Sequence, residues 1–161
     1  MKQKKISFQY TEFTSEKELS SELKELANSA KIIAKTAYSP YSKFNVGAAI
    51  LLENGKIITG SNQENSAYPS GLCAERVALF YANSQYPDIA IKAIAIIAFH
   101  NKKELDQPVY PCGACRQVIS ESQSRQKKPI QVLFLGKKLI HYIENASNLL
   151  PLEFDKNSLN S

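Results

Sequence analysis

The sequence predicts a three-layer α/β/α protein built on a mixed, roughly five-stranded sheet. Three observations carry that prediction. Residues 91–99 and 130–135 are nearly continuous apolar runs without polar alternation, as expected of strands covered on both faces. Between and before them lie stretches of helical periodicity, so the order strand, helix, strand implies right-handed crossovers. Residues 46–52 and 56–60 flank Asn54-Gly55, a dipeptide that signals a hairpin because both residues tolerate positive φ in a type I′ turn.

Taken in order, residues 5–13 alternate apolar and polar, which makes residues 1–14 an extended N-terminal arm or an edge strand. Ser15 and Glu18 have capping-box spacing and should open the first helix. Leu19, Leu23, Leu26, Ala30, Ile33 and Ala37 then share one face, and Pro40 should stop the helix near Tyr38-Ser39. After the hairpin, a polar loop over 61–71 leads to a second helix over 72–84. The strand at 91–99 follows, then a loop over 100–111 and a third helix over 112–124. Gly136-Lys137-Lys138 turns the strand at 130–135 towards a short one at 139–143. The tail has room for one short helix ending at Pro151. No repeat, low-complexity segment or linker interrupts this pattern, so one domain over 1–161 is expected.

Composition narrows the function. The chain is 43% hydrophobic and 22% charged, ordinary values for a globular protein, and its most apolar run has strand length. The N-terminus is basic but lacks the apolar region of a signal peptide. An odd count of three cysteines, two of them in C-x-x-C, argues against a secreted disulfide framework and for the cytoplasm. The formal charge of +5 raises the question of nucleic acid, yet the lysines fall in separated pairs such as Lys102-Lys103 and Lys137-Lys138. That dispersal lacks the clustered footprint phosphates require, so neither nucleic acid nor a membrane is an expected partner.

All three cysteines fall in two short stretches, Gly71-Leu72-Cys73-Ala74-Glu75-Arg76 and Pro111-Cys112-Gly113-Ala114-Cys115-Arg116-Gln117. Three thiolates on one centre select zinc and leave its fourth tetrahedral position open, the hallmark of a catalytic site. Both stretches lie where a loop becomes a helix, and positive helix ends favour thiolate. Arg76 and Arg116 are placed to hydrogen-bond the sulfurs and offset their excess charge. Glu75 is either a fourth ligand or a proton shuttle for a metal-activated water; the open position favours the shuttle. His100 and His141 form no paired ligand spacing and read as strand-edge or surface residues. A redox reading of the C-x-x-C leaves Cys73 and Glu75 unexplained.

At these residues the chain resembles the cytidine deaminases, in their small form with three cysteine ligands. The likeness extends to Pro40-Tyr41-Ser42-Lys43-Phe44-Asn45-Val46-Gly47-Ala48-Ala49, to Asn62-Gln63-Glu64-Asn65 and to Leu149-Leu150-Pro151-Leu152-Glu153-Phe154. It implies one zinc ion per subunit on Cys73, Cys112 and Cys115. It further implies hydrolytic deamination of cytidine and 2′-deoxycytidine to uridine and 2′-deoxyuridine, with release of ammonia. Glu75 would move protons to N3 and to the leaving amine. Asn62 and Glu64 would bind the sugar hydroxyls, Phe44 would stack on the base, and Tyr41 and Tyr68 would line the pocket. The backbone N–H of Ala74 would contact the pyrimidine. The resemblance also implies a homotetramer with sites at subunit interfaces, where Phe154 would reach a neighbour's site. Two positions depart from the pattern: Ser66 replaces a common Ala, and Tyr110 stands where a small residue often precedes the proline. Rival readings are a deaminase for another cytosine-like aminonucleoside, a polynucleotide editor and a silent zinc scaffold. The Asn62–Glu64 motif weighs against the first, Cys73 in place of a histidine against the second, and Glu75 against the third.

Overall fold

Along the chain the elements run β1 (Thr11–Phe13), α1 (Ser21–Ala34), β2 (Phe44–Leu52), β3 (Ile57–Ser61) and α2 (Ala74–Gln85). They continue with β4 (Ile91–His100), β5 (Lys103–Glu104), α3 (Gly113–Gln126), β6 (Gln131–Leu135) and β7 (Ile140–Ile143). The structure is a computed structural model and describes residues 1–159. One seven-stranded sheet has the order β1-β7-β6-β4-β2-β3, with β5 folding back on β4. Among the described strand pairs only β4 and β6 run parallel, because α3 carries the chain back between them.

The apolar run of β4 sits mid-sheet for the reason its composition suggests: both of its faces are dry. Ala93, Ala95 and Ile97 pack with Leu26, Ala27, Ala30 and Ala34 of α1, while Ile94 and Ile96 pack with α2 and α3 on the opposite face. The three layers follow directly. Gly60 of β3 is needed on the second face, where α2 crosses so closely that a Cβ there would lie 2.6 Å from Ala78 N and 2.8 Å from Ala74 O.

The five expected strands are present as β2, β3, β4, β6 and β7, and the N-terminal arm supplies β1 at the edge. Its pairing sets Thr11 against Tyr142, Glu12 against His141 and Phe13 against Ile140. The two-residue β5 had no apolar signal to announce it. Three local expectations need correction. The Ser15–Glu18 capping box forms, but it closes a 3-10 turn at Glu16–Glu18; Leu19 is extended, and Ser20 caps α1 instead. The helix also stops at Ala34, short of Tyr38-Ser39, because Tyr38 N–H donates to Asn62 O and Tyr38 O accepts from Glu64 N–H. The hairpin is not type I′. Leu52 N–H donates to Lys56 O around a three-residue loop in which Gly55 alone takes positive φ, at 82°.

Candidate active site

The two cysteine stretches meet because β3 and β4 both hand the chain to helices on the same face. Cys73 is the N-cap of α2 and Cys112 the N-cap of α3, and neither thiol caps its helix. Each sulfur is therefore free to face a common point. Cys115, one turn into α3, is fully buried behind them. The Cys73 and Cys112 Sγ atoms are 3.9 Å apart, and those of Cys112 and Cys115 are 3.5 Å apart. Tetrahedral zinc with Zn–S bonds of about 2.3 Å requires sulfurs separated by about 3.8 Å. The donor set and its spacing therefore fit one zinc ion. Among the described residues this is the one cluster of potential ligands that close together, and it contains no carboxylate.

Without metal Cys73 and Cys115 hold their protons unequally. Hydrogen bonding from Cys115, then from Arg76, holds the Cys73 thiol well below its usual range, while the same contact with Cys73, with burial, pushes Cys115 up. Arg76 Nη2 lies 3.7 Å from Cys73 Sγ, the sulfur contact expected of it. Arg116 does not make one. Its Nε donates to Pro111 O at 2.9 Å and its Nη1 to Leu149 O at 3.3 Å, so it ties the C-x-x-C loop to the tail. The sulfur contact expected of Arg116 gives way to these backbone carbonyls, which the spacing of the cysteines did not reveal.

Glu75, in the first turn of α2, is only 4% exposed. Burial, the dominant cause, raises its pKa above the ordinary carboxyl value. It borders a cavity of about 800 Å³ together with Cys73, Cys112 and Arg76. The same cavity is bounded by Tyr41, Phe44, Asn62, Glu64 and Tyr68, so residues widely spaced in sequence converge here. Tyr41 and Tyr68 meet edge to face with ring centroids 6.2 Å apart. Asn62 is not idle: Oδ1 accepts from Val46 N–H at 2.7 Å and Nδ2 donates to Phe44 O at 2.9 Å, which fixes the start of β2. Glu64 accepts from Tyr41 N–H at 3.0 Å and Ser42 N–H at 3.3 Å, and from the Ser42 hydroxyl. These bonds, the hydroxyl's above all, lower its pKa.

Two expected residues lie elsewhere. Ala74 is fully buried at the start of α2 and does not border the cavity. Phe154 is 60% exposed, its carbonyl held by Gln117 Nε2 at 2.7 Å, and it borders a separate cavity beside Phe80. Sequence reasoning missed Ser42, which latches Glu64, and Val46, Ile96 and Val109, which supply apolar wall. It also missed the partners of His141, which is bonded through both ring nitrogens to Tyr110 and Glu12. No local sequence signal connects residues so far apart.

An α/β/α sheet with three thiolates at two helix N-termini, a buried carboxyl beside them and a cavity in front defines a zinc-dependent hydrolytic enzyme. Residues 20–129 match the family described as the cytidine and deoxycytidylate deaminase zinc-binding region. The chain is 48% identical over 100 residues to a cytidine deaminase of Sporosarcina psychrophila, covering 62% of this chain and 69% of the relative. It is 42% identical over 125 residues to a cytidine deaminase of Halalkalibacterium halodurans, covering 77% and 87%. The crystal structure of a Burkholderia pseudomallei cytidine deaminase superposes with a TM-score of 0.67 at 38% identity, covering 81% of this chain and 97% of that one. A Mycobacterium tuberculosis cytidine deaminase gives 0.63 at 30%, covering 82% and 96%. The chain belongs to the cytidine and deoxycytidylate deaminase family, whose chemistry is zinc-dependent deamination of a cytidine-like substrate.

Proposed function

We propose that this chain deaminates the free nucleosides cytidine and 2′-deoxycytidine, giving uridine or 2′-deoxyuridine and ammonia. The observation that carries the reading is Glu75, a buried carboxyl on the cavity wall next to the three sulfurs yet outside their cluster. Zinc bound by Cys73, Cys112 and Cys115 supplies a water activated at neutral pH. Glu75 accepts a proton from the incoming water and delivers it to N3 as oxygen adds at C4. It then takes the remaining proton from the oxygen added at C4 and passes it to the amine nitrogen. Ammonia leaves as the C4–N bond breaks and the C4–O bond becomes a carbonyl. A carboxyl whose pKa is raised by burial suits a group that must both take and return a proton near neutrality.

The rest of the cavity supports a nucleoside. Phe44 offers a ring to the base, and Tyr41 and Tyr68 bound the entrance. The Glu64 carboxylate keeps lone pairs beyond those engaged by Ser42 and Tyr41, and Asn62 keeps one amide hydrogen, so both can take sugar hydroxyls. Ala74 would present its backbone N–H to the pyrimidine, and Arg76 would temper the charge on Cys73. Phe154, remote from this chain's own cavity, serves a neighbouring copy in a homotetramer. One sheet running from β1 to β7 supports a single domain, and three unpaired cysteines suit the cytoplasm. Among the described residues no helix is long and apolar enough to cross a membrane.

The test is ultraviolet absorbance of zinc-loaded protein with cytidine, 2′-deoxycytidine and free cytosine. Conversion of both nucleosides, with the free base spared, is the expected result. Stoichiometric zinc without conversion of either nucleoside would refute it. Size-exclusion chromatography should give a tetramer, and a fully active monomer would remove the role given to Phe154.

A further inference from the structure

A line of side chains connects the sheet edge to the metal end of the cavity. Tyr110 stands two residues before Cys112 and borders the cavity with Val109. Its hydroxyl points away, to His141 Nδ1 at 2.6 Å. The opposite ring nitrogen, His141 Nε2, lies 2.9 Å from Glu12 Oε2. A carboxylate only accepts, so Nε2 carries the hydrogen, which leaves Nδ1 to pair with the tyrosine hydroxyl. Glu12 thus selects the tautomer that Tyr110 requires.

The surrounding rings make this a fixed arrangement. Tyr110 meets Phe134 edge to face at 5.1 Å and lies stacked on His141 at 5.9 Å, while Tyr10 covers His141 at 4.7 Å. The His141 side chain is only 12% exposed, while Glu12 keeps 47% of its side chain in solvent. Glu12 and Tyr10 both belong to the N-terminal arm, which precedes the family match beginning at residue 20. The arm thus lies outside the residues matched to the family and reaches the cavity through two side chains.

We propose that Glu12, acting through His141, positions the Tyr110 ring as the cavity wall beside the metal, which makes β1 a positioning element for substrate binding. This rests on the deaminase reading, which puts the base at that end of the cavity. With the phenol anchored, the ring keeps its edge-to-face contact with Phe134 and leaves room for the pyrimidine. Once released, it samples positions that intrude on the base. The ring touches no reacting atom, so the consequence falls on substrate affinity and not on turnover.

The experiment measures steady-state kinetics on zinc-loaded protein for Glu12→Ala, Glu12→Gln, Tyr110→Phe and the pair Glu12→Ala with Tyr110→Phe. Loss of one such bond should raise KM for cytidine on the order of three- to tenfold, with kcat held within about twofold. Glu12→Gln keeps an acceptor opposite Nε2 and should restore the wild-type KM. The double variant should be no worse than Tyr110→Phe alone, because both act through one chain of bonds. Nitrogen NMR of histidine-labelled protein gives a readout independent of activity. Of the two histidines, only the Nδ1 signal of His141 should move in Tyr110→Phe. Unchanged KM in Glu12→Ala, or an equal rise in Glu12→Gln, would overturn the positioning role while cytidine is still converted. Failure of the wild-type protein to convert cytidine would instead overturn the deaminase reading, and this role with it.

Discussion

Gly60→Ala tests how far the metal centre depends on close packing between β3 and α2. The added Cβ would lie 2.6 Å from Ala78 N and 2.8 Å from Ala74 O, against ordinary contacts that begin at 3.4 Å. Both obstacles are backbone, so no side chain can rotate away. Relief requires α2 to retreat by 0.8 Å at Ala78 and 0.6 Å at Ala74. Overpacking of this kind costs about 1–3 kcal/mol. At this chain length that corresponds to a fall in Tm of roughly 2–12 °C. Cys73 occupies the N-cap position of the same helix, so the displacement reaches its sulfur, and metal sites tolerate only about 0.2 Å in ligand distance. Zinc affinity should therefore weaken along with the melt. Calorimetry and competition with a chromogenic chelator measure the two effects. A variant that melts with wild type and holds zinc as tightly would refute the argument.

Three further outcomes are expected. Glu75→Gln should keep its full zinc content while turnover falls about 10²- to 10⁴-fold; loss of zinc would make Glu75 a ligand. Arg76→Ala should bind zinc about 10- to 100-fold more weakly in chelator competition, because the Cys73 thiolate loses its donor. Glu64 has a folded-state pKa below the ordinary 4.5, with the Ser42 hydroxyl as the leading cause. Its latch therefore stabilises the fold above that value and is lost as pH falls through the folded pKa. Thermal melts from pH 7 down to about pH 3 should show Glu64→Gln less stable than wild type at neutrality, with the gap closing in acid.

What was legible in the sequence was local or periodic. The cysteine stretches are short enough for spacing alone to state the metal, and their place at helix starts followed from the loops before them. The apolar runs of β4 and β6 announced a sheet covered on both faces. The misjudged details depended on distant partners. Ser15 and Glu18 make the expected capping box, but nothing near them says that Leu19 leaves the helix. Asn54-Gly55 names a turn, while the register of β2 on β3 decides its length. Arg116 has a sulfur within sequence reach and a carbonyl at Leu149 within spatial reach, and the nearer acceptor takes it. The Glu12–His141–Tyr110 chain exists only because β1 pairs with β7, a contact between opposite ends of the sequence. Asn62 and Glu64 were expected to serve the sugar, and their bonds to Val46, Phe44 and Ser42 appear only once the loops are folded together.

The metal ligands and part of the cavity wall come from different kinds of structure. Cys73, Cys112 and Cys115 are fixed by two helices packed on the sheet, whereas Tyr41, Ser42 and Tyr110 lie in connections between elements and Tyr68 opens a short 3-10 turn in the loop from β3 to α2. Loop positions accept substitution more readily than packed helix starts. On the proposed function, exchanging these four side chains would change the substrate range while the reactive centre stays intact. A library confined to them would explore new aminonucleosides without sacrificing the metal.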